Sequence, residues 1–274
     1  MIDSLELSNA SAPPAHSAAM VTRINGGVAE TCQDELAEEV PVALVYNGIS
    51  HAVMLATPND LADLALGFSL SEGILESAGD LFDVEIAAAC DGVEVRMEIS
   101  SRRFALLKER RRTLAGRTGC GLCGVESLQA VARADGRKVV PAQVRPAAVS
   151  RALAAMQDCQ TLHRLTGAAH GVALVAPDGA VLALREDVGR HNALDKLIGH
   201  MAGSGIPAQA GFVLTSSRAS YEMVQKAAMA GIGGLVAVSA PTAMAVRLAN
   251  DCGLTLAGFA RGERLVIYSQ AASL

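Results

Sequence analysis

Between Gly171 and Ser269, short and almost wholly apolar runs alternate with segments of helical periodicity. No other feature constrains the fold as much. The runs at 171–176, 180–185, 212–216, 235–239, 254–259 and 265–269 read as strands, and 191–201, 220–230 and 241–250 as helices. Pro177-Asp178-Gly179 turns the first two strands into a hairpin. A strand with no polar face has to be covered on both sides, so the pattern predicts a mixed α/β sheet between helices.

Upstream the rhythm changes. Residues 41–46 and 49–55 flank Asn47-Gly48, the strongest short signal for a hairpin. Thr57 is placed to cap a helix with Pro58 at its first position, running on to Gly73. Residues 84–88 and 93–99 flank Cys90-Asp91-Gly92 as a second hairpin. Residues 1–30, with Ser4, Asn9, Ser11, Pro13, Pro14 and Ser17, read as a disordered tail. The predicted organisation is therefore a tail (1–30), a smaller N-terminal α+β subdomain (31–115) and an α/β domain (116–274).

Composition excludes several classes of function. At 51% apolar the chain has ample material for a core. The 23 basic residues against 28 acidic ones leave a net charge of −5, which rules out a coat for nucleic acid driven by bulk positive charge. Only 3% of residues are aromatic, too few for a base-stacking platform. The first twenty residues lack the basic and apolar regions of a signal peptide. The uncharged run from Ala227 to Val246 is broken by Gly231, Gly233, Gly234, Ser239 and Pro241, so no membrane span is expected. A cytoplasmic protein with reduced thiols is the expectation.

Of six cysteines, only Cys120 and Cys123 are close together, in Arg117-Thr-Gly-Cys-Gly-Leu-Cys-Gly. Glycines at 119, 121 and 124 permit backbone conformations that a Cβ forbids. Arg102, Arg103, Lys108, Arg110, Arg111, Arg112 and Arg117 lie upstream, with Glu109 the single opposing charge among them. A helix pattern follows from Val125. Positive charge and a helix N-terminus both favour thiolate over thiol, as a sulfur nucleophile needs. Structural zinc calls for four ligands, and there is no second C-x-x-C. A thioredoxin-like exchanger wants the pair early in a βαβ unit. Two inert packed thiols are the plainest alternative, but they leave the glycines and cations unexplained. No permanent metal is expected.

Three further clusters are polar. Arg185-Glu-Asp-Val-Gly-Arg-His-Asn-Ala-Leu-Asp-Lys196 stands where a strand leads into a helix, a workable anion site or, equally, a salt-bridged cap. Thr215-Ser-Ser-Arg-Ala-Ser-Tyr-Glu222 follows a strand end, where open α/β sheets bind ligands; N-capping by Ser217 or Ser220 is the simpler account. Phe259-Ala-Arg-Gly-Glu-Arg264 joins the last two strands, and Arg261 with Arg264 could clamp a diphosphate. His170 and His51 read as hydrogen-bonded structural histidines. Neither a Walker nor a Rossmann fingerprint occurs.

Taken together, Glu38–Ser50, Gly67–Gly73, the Cys120–Cys123 motif, Glu186–His191 and Ser216–Glu222 resemble the FdhD family, accessory proteins of formate dehydrogenase, over about residues 36–269. The resemblance implies a cytoplasmic homodimer with a three-layer, cytidine-deaminase-like α/β domain. It implies a sulfurtransferase that takes sulfur from a cysteine desulfurase. The sulfur then passes to the molybdenum of bis(molybdopterin guanine dinucleotide) before that cofactor enters the formate dehydrogenase apo-enzyme. Deaminase chemistry is not implied, since the chain has no H-x-E. By resemblance Cys120 is the persulfide carrier and Cys123 an auxiliary thiol. Phe259, Ala260, Arg261, Gly262, Glu263 and Arg264, with Arg190, His191, Ser217 and Arg218, would hold the guanine nucleotide part. Ala168 and Ala169 stand where members of the family often carry cysteine and threonine, so no thiol acts there. A non-catalytic chaperone for cofactor and apo-enzyme, and a C-x-x-C thiol–disulfide oxidoreductase, are the competing readings.

Overall fold

A computed structural model of the chain describes residues 12–115 and 137–269. Twelve strands form three sheets among the described residues.

The C-terminal unit is built on a six-stranded sheet of β7 (His170–Val175), β8 (Val181–Asp187), β9 (Phe212–Thr215), β10 (Gly234–Ala237), β11 (Thr255–Arg261) and β12 (Arg264–Ser269). Their order is β12-β11-β10-β9-β7-β8. Strands β9, β10 and β11 are parallel, and β7, β8 and β12 run antiparallel to their neighbours. Helices cover both faces. Val172 and Leu174 of β7 point into a core shared with α5 (Arg190–Gly203), α6 (Tyr221–Met229) and α7 (Ala243–Cys252). The alternate residues Ala173 and Val175 point to the other side, where Val149, Ala152 and Met156 of α3 (Pro146–Cys159) close a second core. The expected α/β class holds for this physical reason: strands apolar on both faces were buried on both faces.

The N-terminal unit is a four-stranded sheet in the order β4-β3-β6-β5: β3 (Val40–Tyr46), β4 (Ile49–Ala56), β5 (Leu81–Ala89) and β6 (Gly92–Ile99). Asn47 and Gly48 both have positive φ, 44° and 79°, as a type I′ turn requires. One face packs on α1 (Leu61–Ser71), with Val42, Leu44, Tyr46, Val95 and Met97 against Leu61, Leu64 and Ala65. Helix α2 (Ser101–Ala115) follows β6. The periodicity argument missed α2, α3 and the short α4 (Thr161–Thr166).

Two expectations need correction. Residues 16–30 are not a disordered tail: β1 (His16–Asn25) and β2 (Val28–Ala37) form a two-stranded ribbon. Gly26 and Gly27 have φ of 58° and 86°, which closes the hairpin in the same manner as Asn47-Gly48. Thr57 does not cap α1. The helix begins at Leu61 after Asp60, because the Thr57 hydroxyl is committed to Asp187 and Lys196 instead.

Helix α1 also joins the two units. A Cβ on Gly67 would lie 1.7 Å from the Asp195 carbonyl oxygen, and one on Gly199 would lie 1.9 Å from that of Asp63. Two glycines thus let α1 and α5 touch backbone to backbone.

Candidate functional site

Three of the polar clusters meet along one edge of the six-stranded sheet. His170 pairs with Asp187 at the end of β8, and Gly171 accepts from the Ser216 amide at 3.0 Å. The Ser239 amide donates to the Ser217 carbonyl at 3.4 Å, and the Phe259 amide to the Ser239 carbonyl at 3.1 Å. This ladder sets residues 187–191, 215–222 and 259–264 side by side at the carboxyl ends of β8, β9 and β11. Ligands of open α/β sheets gather at such an edge, where helix N-termini and loop amides converge.

Its floor is a buried polar knot. Asp187 Oδ2 accepts from the Thr57 amide (3.0 Å) and hydroxyl (2.9 Å) and pairs with Lys196 Nζ at 2.7 Å. Asp187 Oδ1 accepts from the Gly189 amide (2.8 Å) and Asn192 Nδ2 (3.1 Å). Burial pulls the Lys196 ammonium below its usual range, with the Asp187 carboxylate pulling it back. The salt-bridged-cap reading of 185–196 therefore describes Asp187 and Lys196. The anion-site reading is left to Arg190 and His191, which begin α5 after Gly189.

His191 Nε2 lies 2.8 Å from Glu222 Oε2 and 3.3 Å from Ser220 Oγ. Burial outweighs the glutamate and lowers its pKa to about 4, so the ring is neutral near pH 7. His170 is lowered as well, by burial and then by Arg190 and His163. Arg190 Nε is buried and has no hydrogen-bond partner among the described residues. Arg218, Arg261 and Arg264 are exposed. Ser217 is buried; its hydroxyl lies 2.9 Å from Thr215 Oγ1 and donates to the Arg218 carbonyl, so it shapes the turn and is not free to contact a ligand.

In the last cluster Phe259 has φ 52°, a left-handed backbone for a bulky residue. Such strain persists only where neighbours enforce it, and it marks functional loops more often than others. Here Gly258 is pressed against Pro241, 2.8 Å from where its Cβ would lie, and the strand bulges between Gly258 and Arg261. The Phe259 ring is left 47% exposed, while Ala260 faces the core and so cannot touch a ligand with its side chain. Gly262 (φ 56°) makes the turn between Arg261 and Arg264, with Glu263 exposed beside it.

Cys120 and Cys123, with Arg117 and the neighbouring glycines, lie outside the described residues. Among the described residues no cluster of three His, Cys, Asp or Glu could hold a metal ion, and no helix is long and apolar enough to cross a membrane. A cavity of about 880 Å³ opens elsewhere, at the C-terminal ends of α1, α5 and α6, floored by Leu70, Ile198, Met201 and Met229. Sequence reasoning did not find Thr57 or Asp195 as structural partners of this site. Ser71 donates to Asp195 at 2.7 Å, and Lys226 bridges Asp195 (2.9 Å) and Glu72 (3.1 Å) beneath α6. No local pattern announces a partner more than a hundred residues away.

Known proteins resemble this chain in sequence and in fold. The profile of the FdhD/NarQ family matches residues 37–274. A protein of Cupriavidus necator named sulfur carrier protein FdhD is 56% identical over 263 residues, covering 94% of this chain and 89% of its own. One of the same name from Bordetella petrii is 54% identical, covering 92% and 91%. The crystal structure of a formate dehydrogenase accessory protein from Desulfotalea psychrophila superposes with a TM-score of 0.75 at 21% identity, over 94% of this chain and 99% of that one.

Proposed function

Because the chain belongs to the FdhD/NarQ family, we propose that it is a sulfur carrier serving formate dehydrogenase. Cys120 is its persulfide-forming residue and Cys123 an auxiliary thiol. The observation that carries the rest of this reading is the hydrogen-bond ladder that aligns Arg190, His191, Arg218 and the Phe259–Arg264 turn on one sheet edge.

In the first step the Cys120 thiolate attacks the outer sulfur of a persulfide on a cysteine desulfurase. A Cys120 sulfur–sulfur bond forms, the donor's breaks, and the donor leaves as its thiolate. The cations that precede Cys120 in the sequence favour both the thiolate and the persulfide anion. In the second step molybdenum of bis(molybdopterin guanine dinucleotide), the acceptor substrate, takes the outer sulfur as sulfide. The reduced metal supplies the two electrons, and Cys120 returns to thiolate. The sheet edge suits the nucleotide part of that substrate. A phosphate oxygen would complete the orphaned Arg190 Nε. Arg218, Arg261 and Arg264 add exposed positive charge, and the Phe259 ring offers a flat face for guanine. With His191 neutral, the edge keeps its charge on arginines, which do not titrate near pH 7. The loaded cofactor then passes to the apo-enzyme, in the cytoplasm and from a homodimer.

The test incubates the full chain with a cysteine desulfurase and cysteine and weighs the peptides. The wild type should gain the mass of one sulfur atom on the Cys120 peptide, removed by reductant, and Cys120→Ser should gain none. Full labelling of Cys120→Ser would remove Cys120 from the mechanism. An unlabelled wild type would favour the chaperone.

A further inference from the structure

Val188 and Gly189 alone link β8 to α5, so what the sheet edge offers at Arg190 and His191 depends on how that link is held. Gly189 is the N-cap of α5 and has no side chain to hold it with. Asp187 takes that part. Its Oδ1 accepts from the Gly189 amide at 2.8 Å and from Asn192 Nδ2 at 3.1 Å. A Cβ on Gly189 would lie 2.9 Å from Asn192 Nδ2 and 3.4 Å from that same oxygen, so the link is wrapped closely around the carboxylate. Arg190 Nε, buried and without a hydrogen-bond partner among the described residues, follows directly.

Asp187, Gly189, Asn192 and Lys196 belong to one short stretch of chain. Their mutual bonds shape the turn without fixing where it stands. The anchors come from the other unit. Thr57, between β4 and α1, donates to Asp187 Oδ2 from its amide (3.0 Å) and its hydroxyl (2.9 Å). The same hydroxyl accepts from Lys196 Nζ at 2.7 Å, and the Thr57 carbonyl accepts from it at 3.1 Å. The Leu55 carbonyl accepts from Asn192 Nδ2 at 2.8 Å. Thr57, Asp187 and Lys196 are all fully buried, so solvent does not compete for these groups.

The two partners of Asp187 Oδ2 act differently. Lys196 is a point charge on a flexible stem, which neutralises the carboxylate without fixing its plane. Thr57 donates from backbone and hydroxyl together, and Pro58 after it confines its backbone to the extended region. This pair of donors sets the direction from which Oδ2 is held, and thereby aims Oδ1 at Gly189.

We propose that Thr57 is a positioning residue of the anion site: its hydroxyl, shared between Asp187 and Lys196, holds the first turn of α5 where Arg190 meets a phosphate group. The inference rests on the reading of this edge as the nucleotide site, and it adds a residue from the opposite unit that touches no ligand. A hydroxyl is required because one group must donate to the carboxylate and accept from the ammonium. Serine keeps both bonds, whereas valine, of nearly the same shape, keeps neither.

Calorimetric titration of guanosine diphosphate into the full chain tests this, with circular dichroism to verify folding. The wild type should bind, and Arg190→Gln should bind more weakly. Thr57→Val should raise the dissociation constant about tenfold, the lower end of what removing the partner behind a ligating group costs. Thr57→Ser should bind as the wild type does. Tyr46→Phe removes another buried hydroxyl of the same unit, one bonded to Ser69 at 2.7 Å, and should leave the affinity unchanged. If Thr57→Val does not fold, Thr57→Cys replaces it, since a thiol is a weaker donor and acceptor. A wild type that does not bind, or Arg190→Gln binding as tightly as wild type, would overturn the nucleotide reading and the inference with it. Three results would overturn the role of Thr57 alone: wild-type affinity in Thr57→Val, no recovery in Thr57→Ser, or an equal loss in Tyr46→Phe.

Discussion

Among the described residues the six-stranded sheet is covered on both faces, whereas the four-stranded sheet is covered on one. The difference separates two jobs. The doubly covered sheet has no free face, so its chemistry collects at strand ends, where Asp187, Arg190, Arg218 and Phe259 stand. The singly covered sheet holds no comparable cluster. It braces the first sheet through α1. The seam between the two, α1 against α5, is where the molecule is least tolerant of change.

The sharpest way to break that seam is to remove a charge inside it. Asp195 is 1% exposed and pairs with Lys226; burial raises its pKa and Lys226 opposes the shift. Burial also pulls Lys226 down, but Asp195 and Glu72 together carry it above its ordinary value. Asp195→Ala leaves a buried ammonium with only the half-exposed Glu72 and the Ser71 hydroxyl, and should cost about 3–5 kcal/mol in urea unfolding. A loss below about 1 kcal/mol would show that the seam is not closed as described.

A wedge should do less harm. Gly199→Ala puts a methyl against backbone that cannot swing aside, and about 1–3 kcal/mol of stability should go. Gly203→Ala, four residues on, meets only Leu66 Cδ2 at 3.8 Å, so the gain in helix propensity should leave stability unchanged or slightly higher. Equal effects from the two substitutions would refute the backbone contact.

The smallest effect belongs to the sheet edge. His191 titrates near 4 when folded and near 6.5 when unfolded, so between those values the unfolded chain binds more protons. Stability is therefore complete above about pH 6.5 and falls as pH drops towards 4. His191→Gln should flatten that fall by about 1–2 kcal/mol, read from urea midpoints at pH 7 and pH 5. An unchanged slope would place the acid sensitivity elsewhere, with His170 and His200 the next groups to change, since both are lowered by burial.

Much of this was legible locally. The Asn47-Gly48 hairpin, the strands of β7 to β12 and the helix begun by Thr242, whose Oγ1 accepts from the Ala245 amide at 3.2 Å, are written in periodicity and turn chemistry. The ribbon at 16–37 was missed because it has no core to pattern it. Its Asn25-Gly26-Gly27 turn was nonetheless readable. The candidate site was legible as three separate motifs. That Ser217 closes a turn, and that Thr57 serves Asp187, was not.

Residue order alone showed the Asn47-Gly48 hairpin, the strands of the six-stranded sheet and the family, and it singled out Cys120 for the proposed chemistry, because turns, caps and periodicity act over a few neighbours. Tertiary structure decided which motifs share an edge, which glycines two helices need, and which charges lie buried. Those depend on close approaches between distant residues, such as Gly67 to Asp195 and Thr57 to Asp187, which no stretch of neighbouring residues encodes.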